Sequence, residues 1–280
     1  MFAINNQFEK DSLDWHNSGK KLGERYEEVL DLQAIYDDCI QNEEKWECDM
    51  NALYEVEVES GVAFWEWLYS SAGESNYELR ELVMRMIAQI LTDFQEKKPE
   101  KIKISLGEFD GCVCNKNDYR CVRRKILSRL SNVSDYYEFM KTCFLESEFS
   151  NEVKSGLERI DDFPLHVEEI TDNLALLNDE AIKIYDRYGD AHEKDAVREL
   201  AARALDCSGD PKHKHELVFP FPYSEEDENG SITYIAQITC CPHMKLIRRD
   251  SNLRIYFYWR DMRIGEGKKV LIGKIGSHPY

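Results

Sequence analysis

The spacing of apolar residues changes near Cys207, and this change constrains the fold more than any other sequence feature. Before it, apolar side chains recur in several segments every three or four residues, as on one buried face of a helix. Beyond it, apolar and polar residues alternate, as in half-buried strands. The sequence therefore predicts an α+β protein, in which a mostly helical N-terminal region precedes two helices and a small antiparallel sheet.

The helical region contains one especially regular segment, Glu78 to Gln95. Its predicted buried stripe is Leu79, Leu82, Val83, Met86, Ile87, Ile90, Leu91 and Phe94. A short strand is predicted at Lys101 to Ser105, after a linker at Glu96 to Glu100. Further helices are predicted at Glu24 to Gln41, Leu53 to Ser70, Tyr119 to Phe149, Glu168 to Leu177 and Asn178 to Leu205, with Gly189 dividing the last.

The C-terminal segment contains extended stretches separated by turn-forming residues. Leu217 to Tyr223 contains two prolines, which limits it to an edge strand or an extended arm, and an acidic loop follows at Ser224 to Gly230. Three further strands are predicted at Ile232 to Ile247, Leu253 to Trp259 and Lys269 to Ile275.

Charge is distributed unevenly along the chain. The formal net charge is −18, yet Gly230 to Tyr280 contain nine Lys and Arg against three acids, a net charge of +6. The rest of the chain therefore carries −24. Such a basic segment can attract anions such as phosphates, or it can be an ordinary solvated surface.

Several features indicate the cellular compartment. No stretch approaches the roughly 18 consecutive apolar residues of a membrane span. Met1 to Trp15 lacks the basic start and apolar run of a secretion signal. Nine cysteines, an odd number, are scattered through a chain of 280 residues, which favours reduced thiols. We therefore expect a soluble cytoplasmic protein with no membrane partner.

Common catalytic and nucleotide-binding motifs are missing from the sequence. It contains no G-x-x-x-x-G-K, G-x-G-x-x-G, G-x-S-x-G or H-E-x-x-H motif, and we expect no cofactor. Cys112, Cys114 and Cys121 are close in sequence but lack paired C-x-x-C spacing, so a metal there stays an open question. Cys240 and Cys241 should point to opposite faces of a strand, with one of them in the core.

Basic and aromatic residues share one face of the predicted sheet. Side chains alternate between the two faces of a strand. In the predicted strand Leu253 to Trp259, this alternation places Leu253, Ile255, Phe257 and Trp259 on one face, and Arg254, Tyr256 and Tyr258 on the other. His243 and Lys245 share a face of the preceding strand, and Lys274, His278 and Tyr280 follow near the end. Cations can hold a phosphate, His or Tyr can move a proton, and an exposed Tyr can stack on a base.

These residues resemble a known family. Cys240 to Tyr258 (CCPHMKLIRRDSNLRIYFY) and Lys269 to Tyr280 (KVLIGKIGSHPY) are similar to the second half of RelE/ParE-superfamily toxins. The resemblance implies two helices packed on a small antiparallel sheet and, in the RelE branch, metal-independent cleavage of messenger RNA on the ribosome. It also implies that Lys245, Arg254 and Tyr280 match family positions, and the closing His278-Pro279-Tyr280 is similar to the YoeB-like branch. ParE-like members poison a topoisomerase instead.

The resulting hypothesis divides the chain into an acidic regulatory or partner-binding region, residues 1–177, and a RelE-like module, residues 178–280. The protein would be a bacterial toxin or antiphage defence effector that binds and cleaves RNA, with an antitoxin or regulatory protein as a further partner. The expected catalytic residues are Lys245, Arg254, Lys274, His278 and Tyr280, and the expected RNA-binding residues are His243, Arg248, Arg249, Tyr256 and Tyr258. The alternative is a noncatalytic module whose basic sheet docks on an acidic protein.

Overall fold

The chain folds into two compact units, each with its own sheet. The computed structural model describes residues 3–70, 76–90, 100–204, 206–209, 214–227, 230–248 and 252–278. The units are Met1–Arg123 and Arg124–Tyr280. Helices dominate the first unit and most strands lie toward the C-terminus, which confirms the predicted α+β class. Within the described residues, no helix is both long enough and apolar enough to span a membrane.

The N-terminal unit combines helices with short strands. In chain order its elements are β1 (Ile4–Phe8), α1 (Trp15–Ser18), α2 (Leu22–Gln41), β2 (Lys45–Glu47), α3 (Met50–Tyr54), β3 (Glu57–Glu59), β4 (Val62–Ala63), α4 (Phe64–Tyr69), α5 (Tyr77–Ile90), β5 (Glu100–Ile104) and α6 (Lys116–Leu127), the last of which contains the boundary between the units.

A parallel sheet forms the centre of the N-terminal unit. Its strand order is β2-β1-β5, and β1 pairs in parallel with both neighbours. The β5 strand was predicted, whereas β1 was not, because its sequence INNQF has too few apolar residues to show a strand pattern. The predicted linker lies outside the described residues except for Glu100, which begins β5.

The helix predicted at Leu53 to Ser70 is wrong. That stretch instead contains the end of α3, the hairpin β3–β4 and the short helix α4. Gly61 sits in the hairpin turn with a φ of 74°, a left-handed conformation that glycine adopts without strain and that interrupts a helix. The aromatic residues are still partly core, as expected: Trp67 is fully buried and meets Trp15 edge-on.

A buried ion pair ties α6 to this sheet. Arg123 is 2% exposed and pairs with Glu44, which precedes β2. Glu44 also accepts hydrogen bonds from Asn6 Nδ2 at 2.8 Å and Tyr119 Oη at 2.5 Å. Because several donors satisfy one carboxylate, the buried charge is compensated as such burial requires.

The C-terminal unit contains the larger sheet. After α6, its elements are α7 (Val133–Cys143), β6 (Ser147–Phe149), α8 (Glu152–Leu157), α9 (Val167–Tyr188), α10 (Glu193–Ala204), β7 (Cys207–Gly209), β8 (Val218–Asp227), β9 (Gly230–Thr239), β10 (Pro242–Lys245), β11 (Leu253–Tyr258) and β12 (Val270–Ser277). Gly189 ends α9 with a φ of 68°, which confirms the predicted helix break.

The five-stranded sheet contains two strands that were not predicted, β6 and β7. Its order is β6-β12-β11-β10-β7, antiparallel except that β6 pairs in parallel with β12. The β6 strand lies well before residue 178, and the predicted boundary after residue 177 falls inside α9. The structure therefore divides the chain earlier, after Arg123. The sequence did not reveal that β6 belongs to this unit, because a three-residue strand has no periodic pattern of its own.

The two faces of this sheet are covered by different elements. Leu253, Ile255, Phe257 and Trp259 are all buried, as predicted, and Trp259 stacks on Tyr185 of α9. We call this helix-covered side the inner face. The predicted strand from Ile232 to Ile247 is two strands, β9 and β10, of which β9 forms a hairpin with β8. The base of that hairpin packs on the opposite side, the outer face, in a core cluster of Leu217, Phe219, Phe221, Ala236, Ile238, Cys240, Tyr256, Ile264 and Leu271.

Candidate functional site

Strand register places the predicted basic residues in adjacent rows of the outer face. Lys245 of β10 lies opposite Arg254 of β11, and His243 lies opposite Tyr256. Tyr256 in turn lies opposite Lys274 of β12. Side chains of paired residues point to the same face of a sheet. The prediction that Lys245 and Arg254 share a surface is therefore confirmed.

Two histidines meet beside this surface. His278 follows β12, and its ring centre lies 6.5 Å from that of His243 and 6.2 Å from that of Tyr256, edge-on to both. His243 is only 5% exposed, and its Nε2 lies 3.1 Å from Ser208 Oγ. The half-buried His278 is therefore the histidine on this face that a ligand can reach.

Lys274 lies in an unfavourable environment for a cation. Burial lowers its pKa below the usual range, and the nearby Arg159 lowers that pKa further, whereas Glu152 opposes the change. Arg159 is exposed and follows α8, the helix that packs against β12 at Gly156. Sequence reasoning did not select Arg159, because only the folding of α8 onto β12 brings it close to Lys274.

Most of the other cations in this region already have acidic partners. Lys245 Nζ lies 2.7 Å from Asp206 Oδ2, and both side chains are about one-third exposed (31% and 34%). Five further cations also form ion pairs with carboxylates: Arg248–Asp172, Arg260–Asp186, Arg263–Asp261, Lys268–Glu266 and Lys269–Glu148. These pairs neutralise much of the excess positive charge seen in the sequence.

Three predicted RNA contacts need correction. Tyr256 is fully buried in the core cluster beneath the β8–β9 hairpin, so it cannot stack on a base. His243 is too deeply buried to touch a polymer directly. Arg248 pairs with Asp172 of α9, which packs on the inner face, so it does not join the outer-face residues. The hairpin accounts for Tyr256, the neighbouring Ser208, Tyr256 and His278 contact His243, and α9 accounts for Arg248. Strand alternation alone cannot reveal such contacts.

The remaining predicted residues have varied positions. Tyr258 is half-buried at the far end of β11 from Arg254, where burial raises its pKa and the nearby Glu193 adds to the rise. Arg254 is half-buried, and its Nη1 donates to the carbonyl oxygen of Leu253 at 2.9 Å. Arg249 and Tyr280 lie outside the described residues.

The cysteines form no evident metal centre. Within the part of the chain that the structure describes, no three His, Cys, Asp or Glu side chains converge as metal ligands would. Cys112 and Cys114 are half-buried and Cys121 is exposed. Cys240 is fully buried and Cys241 is not, which confirms that one of this adjacent pair belongs to the core.

A separate groove of about 450 Å³ lies in the C-terminal unit. Its lining residues come from the end of α6 and the start of α9: Lys125, Ser128, Arg129, Pro164, Leu165, Val167 and Glu168. None of the residues predicted from the sequence lines this groove, so it gives no support to the outer-face site.

Comparison of the chain with family models, curated proteins and solved structures found no match. The functional argument therefore depends on geometry. This geometry brings together four cations and one imidazole on the outer face. We call them the outer-face cluster: Lys245, Arg254, Lys274, His278 and Arg159. Such a group can hold a phosphate and move a proton near it.

Proposed function

We propose that the C-terminal unit binds RNA through the outer-face cluster and cleaves it without a metal, as part of a bacterial toxin or antiphage defence effector. The ribosome is a candidate setting for cleavage, and an antitoxin or regulatory protein is a candidate partner. The resemblance of Cys240 to Tyr258 and Lys269 to Tyr280 to RelE-like toxins motivates the activity. The two helices α9 and α10 before an antiparallel β10–β11–β12 are consistent with that resemblance.

One observation supports this proposal most strongly. The register of three strands sets Lys245 beside Arg254 and Lys274 beside Tyr256, with His278 at the end of the same face. Residues from separate strands thus converge at one end of the outer face, beyond the hairpin base. A cation row next to an imidazole suits a phosphodiester, whose charge increases in the transition state.

The proposed reaction uses groups of the RNA itself. His278, as the neutral imidazole, accepts the proton of a 2′-hydroxyl, and that oxygen attacks the adjacent phosphorus. The bond from phosphorus to the 5′-oxygen breaks, and the leaving oxygen takes a proton from an acid, for which Tyr280 is the candidate. Arg254, Lys274 and Arg159 stabilise the extra negative charge on the phosphate. The products are a 2′,3′-cyclic phosphate and a 5′-hydroxyl.

A cleavage assay with the purified full-length chain tests this proposal. Labelled RNA is incubated with chelator, with and without ribosomes, and the ends of the products are analysed. We expect cyclic phosphate ends, and a decrease in rate of about 100-fold or more for Arg254→Ala and for His278→Ala. Arg260→Ala removes a cation that pairs with Asp186 instead, so this control should cleave like the wild type. Equal rates for all three variants and the wild type would exclude the cluster.

A noncatalytic interaction module is the second candidate function. The observation that favours it is the pairing of most C-terminal cations with carboxylates of the same unit, including Lys245 with Asp206. Exposed pairs of this kind contribute only about 0–1 kcal/mol each, so an acidic protein partner could exchange with them. Toxicity that depends on Arg254 but occurs without RNA cleavage would favour this candidate.

Binding measurements separate the two candidates further. If RNA is the ligand, affinity falls steeply with salt, because each neutralised phosphate releases counterions. Filter binding of a short single-stranded RNA at several salt concentrations gives the slope. The Lys274→Ala protein should lose about one unit of that slope if Lys274 contacts a phosphate. A slope near zero for the wild type would exclude a phosphate-binding surface.

A further inference from the structure

The outer part of the β8–β9 hairpin extends past the hydrophobic core in which the base of the hairpin is buried. Both strands pair only with each other among the described residues. The base is buried at Phe219, Phe221, Ala236 and Ile238. Farther out, the apolar side chains of β9 face solvent: Ile232 is 44% exposed, Tyr234 41% and Ile235 66%. A two-stranded ribbon alone is marginally stable in water, so these apolar side chains favour a further partner.

One backbone hydrogen bond fixes which groups point away from the hairpin. Cys240 N–H donates to the carbonyl oxygen of Leu217 at 2.8 Å, which makes this the first hydrogen-bonded pair of the ladder. Bonded and non-bonded pairs alternate in an antiparallel ladder. From the strand register, the pairs 220/237, 222/235 and 224/233 are therefore non-bonded, and their N–H and C=O groups point outward.

The two edges of the hairpin consequently differ. On β8, two outward positions are Pro220 and Pro222, which have no N–H, so this edge is a poor template for another strand. On β9, the outward positions Thr233, Ile235 and Gln237 keep both groups. Within the described residues, these three make no backbone hydrogen bond outside the hairpin. The hairpin thus has one edge blocked by proline and one open edge.

We infer that the open edge of β9 pairs antiparallel with β9 of a second copy of this chain, which forms a symmetric dimer through a four-stranded ribbon. Two-fold pairing of identical edges closes on itself, and the proline-blocked β8 edges prevent growth into a longer assembly. The exposed Ile232, Tyr234 and Ile235 then gain cross-strand neighbours.

Charge favours an identical copy as the partner. Gly230–Thr239 contains no charged residue in a chain of net charge −18, so two copies can meet there without direct repulsion. The acids Glu225, Glu226 and Asp227 lie on β8. In the ribbon, the two β8 strands are separated by three strand spacings, roughly 14 Å. That separation exceeds the Debye length of about 8 Å at physiological salt, so these acids repel only weakly.

The dimer should be weak and favoured by salt. Pairing of one edge buries less area than the roughly 1,600 Å² of a standard interface, so dissociation in the micromolar range is expected. Added salt screens the repulsion between two acidic chains and should raise the dimer fraction. RNA binding is expected to have the opposite salt dependence, which distinguishes the two processes.

Sedimentation velocity of the full-length chain over about 1–200 µM, a range spanning micromolar affinity, tests this inference. We expect the wild type to shift from monomer to dimer and no further. Thr233→Pro removes an outward N–H from the open edge, and Ile235→Lys places like charges at its centre, so each should weaken dimerisation by about tenfold or more. Ser224→Pro makes the same change directly opposite, on the blocked edge, and should dimerise like the wild type.

Three outcomes overturn the inference: a wild type that is monomeric at every concentration, equal weakening by Thr233→Pro and Ser224→Pro, or a dimer unaffected by Ile235→Lys. Circular dichroism of each variant checks its fold. If Thr233→Pro unfolds, Ile235→Lys decides alone, because it leaves the backbone groups unchanged.

Discussion

Lys274 is a residue of the outer-face cluster whose charge lowers the stability of the folded chain. Its pKa in the folded chain is lowered, so protonation opposes folding at pH values below that pKa. This opposition disappears as the pH rises through the window between the lowered pKa and the ordinary lysine value of 10.5. Removing this charge should therefore stabilise the fold.

We therefore predict that Lys274→Met raises the thermal unfolding midpoint at neutral pH and lowers RNA affinity by about tenfold, the loss expected for one charged hydrogen bond. The gain in midpoint should shrink as the pH approaches 10.5. Lys268→Met is the matched control, because Lys268 is 74% exposed and pairs with Glu266. Scanning calorimetry across pH measures the first effect, and a lower midpoint for Lys274→Met would contradict it.

At the scale of elements, α8 positions the end of β12 through one glycine. A Cβ at Gly156 would clash with the carbonyl oxygen of Ile275. We predict that Gly156→Ala destabilises the protein by about 1–3 kcal/mol, because the clash forces the backbone to shift. Since the shift moves the strand that carries Lys274, RNA cleavage should fall as well.

Gly23→Ala is the control for this substitution. Gly23 lies in α2, and apart from its chain neighbours and the helix's own backbone no atom lies within 4 Å of the position that an alanine Cβ would take there, so alanine should stabilise by about 0.4–1 kcal/mol. Urea denaturation measures both changes. Equal stability of the Gly156→Ala protein and the wild type would show that α8 does not approach β12 so closely.

The turn between β10 and β11 depends on a carboxylate of α9. Glu169 is 5% exposed, and its Oε1 accepts N–H groups from Ile247 at 2.6 Å and Arg248 at 3.0 Å. We predict that Glu169→Ala destabilises by about 2–3 kcal/mol, because hydrogen bonds to a charged acceptor are lost together. Glu168→Ala, at the exposed neighbouring position, should change stability by less than about 1 kcal/mol. Similar midpoints for both variants would contradict this role.

At the scale of the whole molecule, the sheet decides where an independent C-terminal fragment can begin. A fragment of residues 178–280 lacks β6 and the first half of α9, whereas residues 116–280 keep α6 and every strand of the five-stranded sheet. We predict cooperative thermal unfolding for the longer fragment only, since the shorter one leaves β12 with an unpaired edge and an uncovered inner face. Cooperative unfolding of residues 178–280 would show that β6 is dispensable.

Local patterns in the sequence determined the elements whose apolar spacing is regular. The α2 helix, the inner face of β11 and the helix break at Gly189 follow from side-chain periodicity and from glycine's backbone freedom, which act over a few residues. The same alternation placed Lys245 and Arg254 on one face, so the basic row of the candidate site was predictable. Short strands such as β1 and β6 were not, because three to five residues of mixed polarity carry no periodic signal.

Only the tertiary structure decided which members of that face a ligand can reach. The β8–β9 hairpin buries Tyr256, α9 holds Arg248, and α8 brings Arg159 to Lys274. Each of these outcomes depends on contacts between residues far apart in the chain. The spacing of apolar residues along a strand or a helix contains no information about such contacts. Side-chain alternation is a property of one strand, whereas exposure is a property of everything that packs on it.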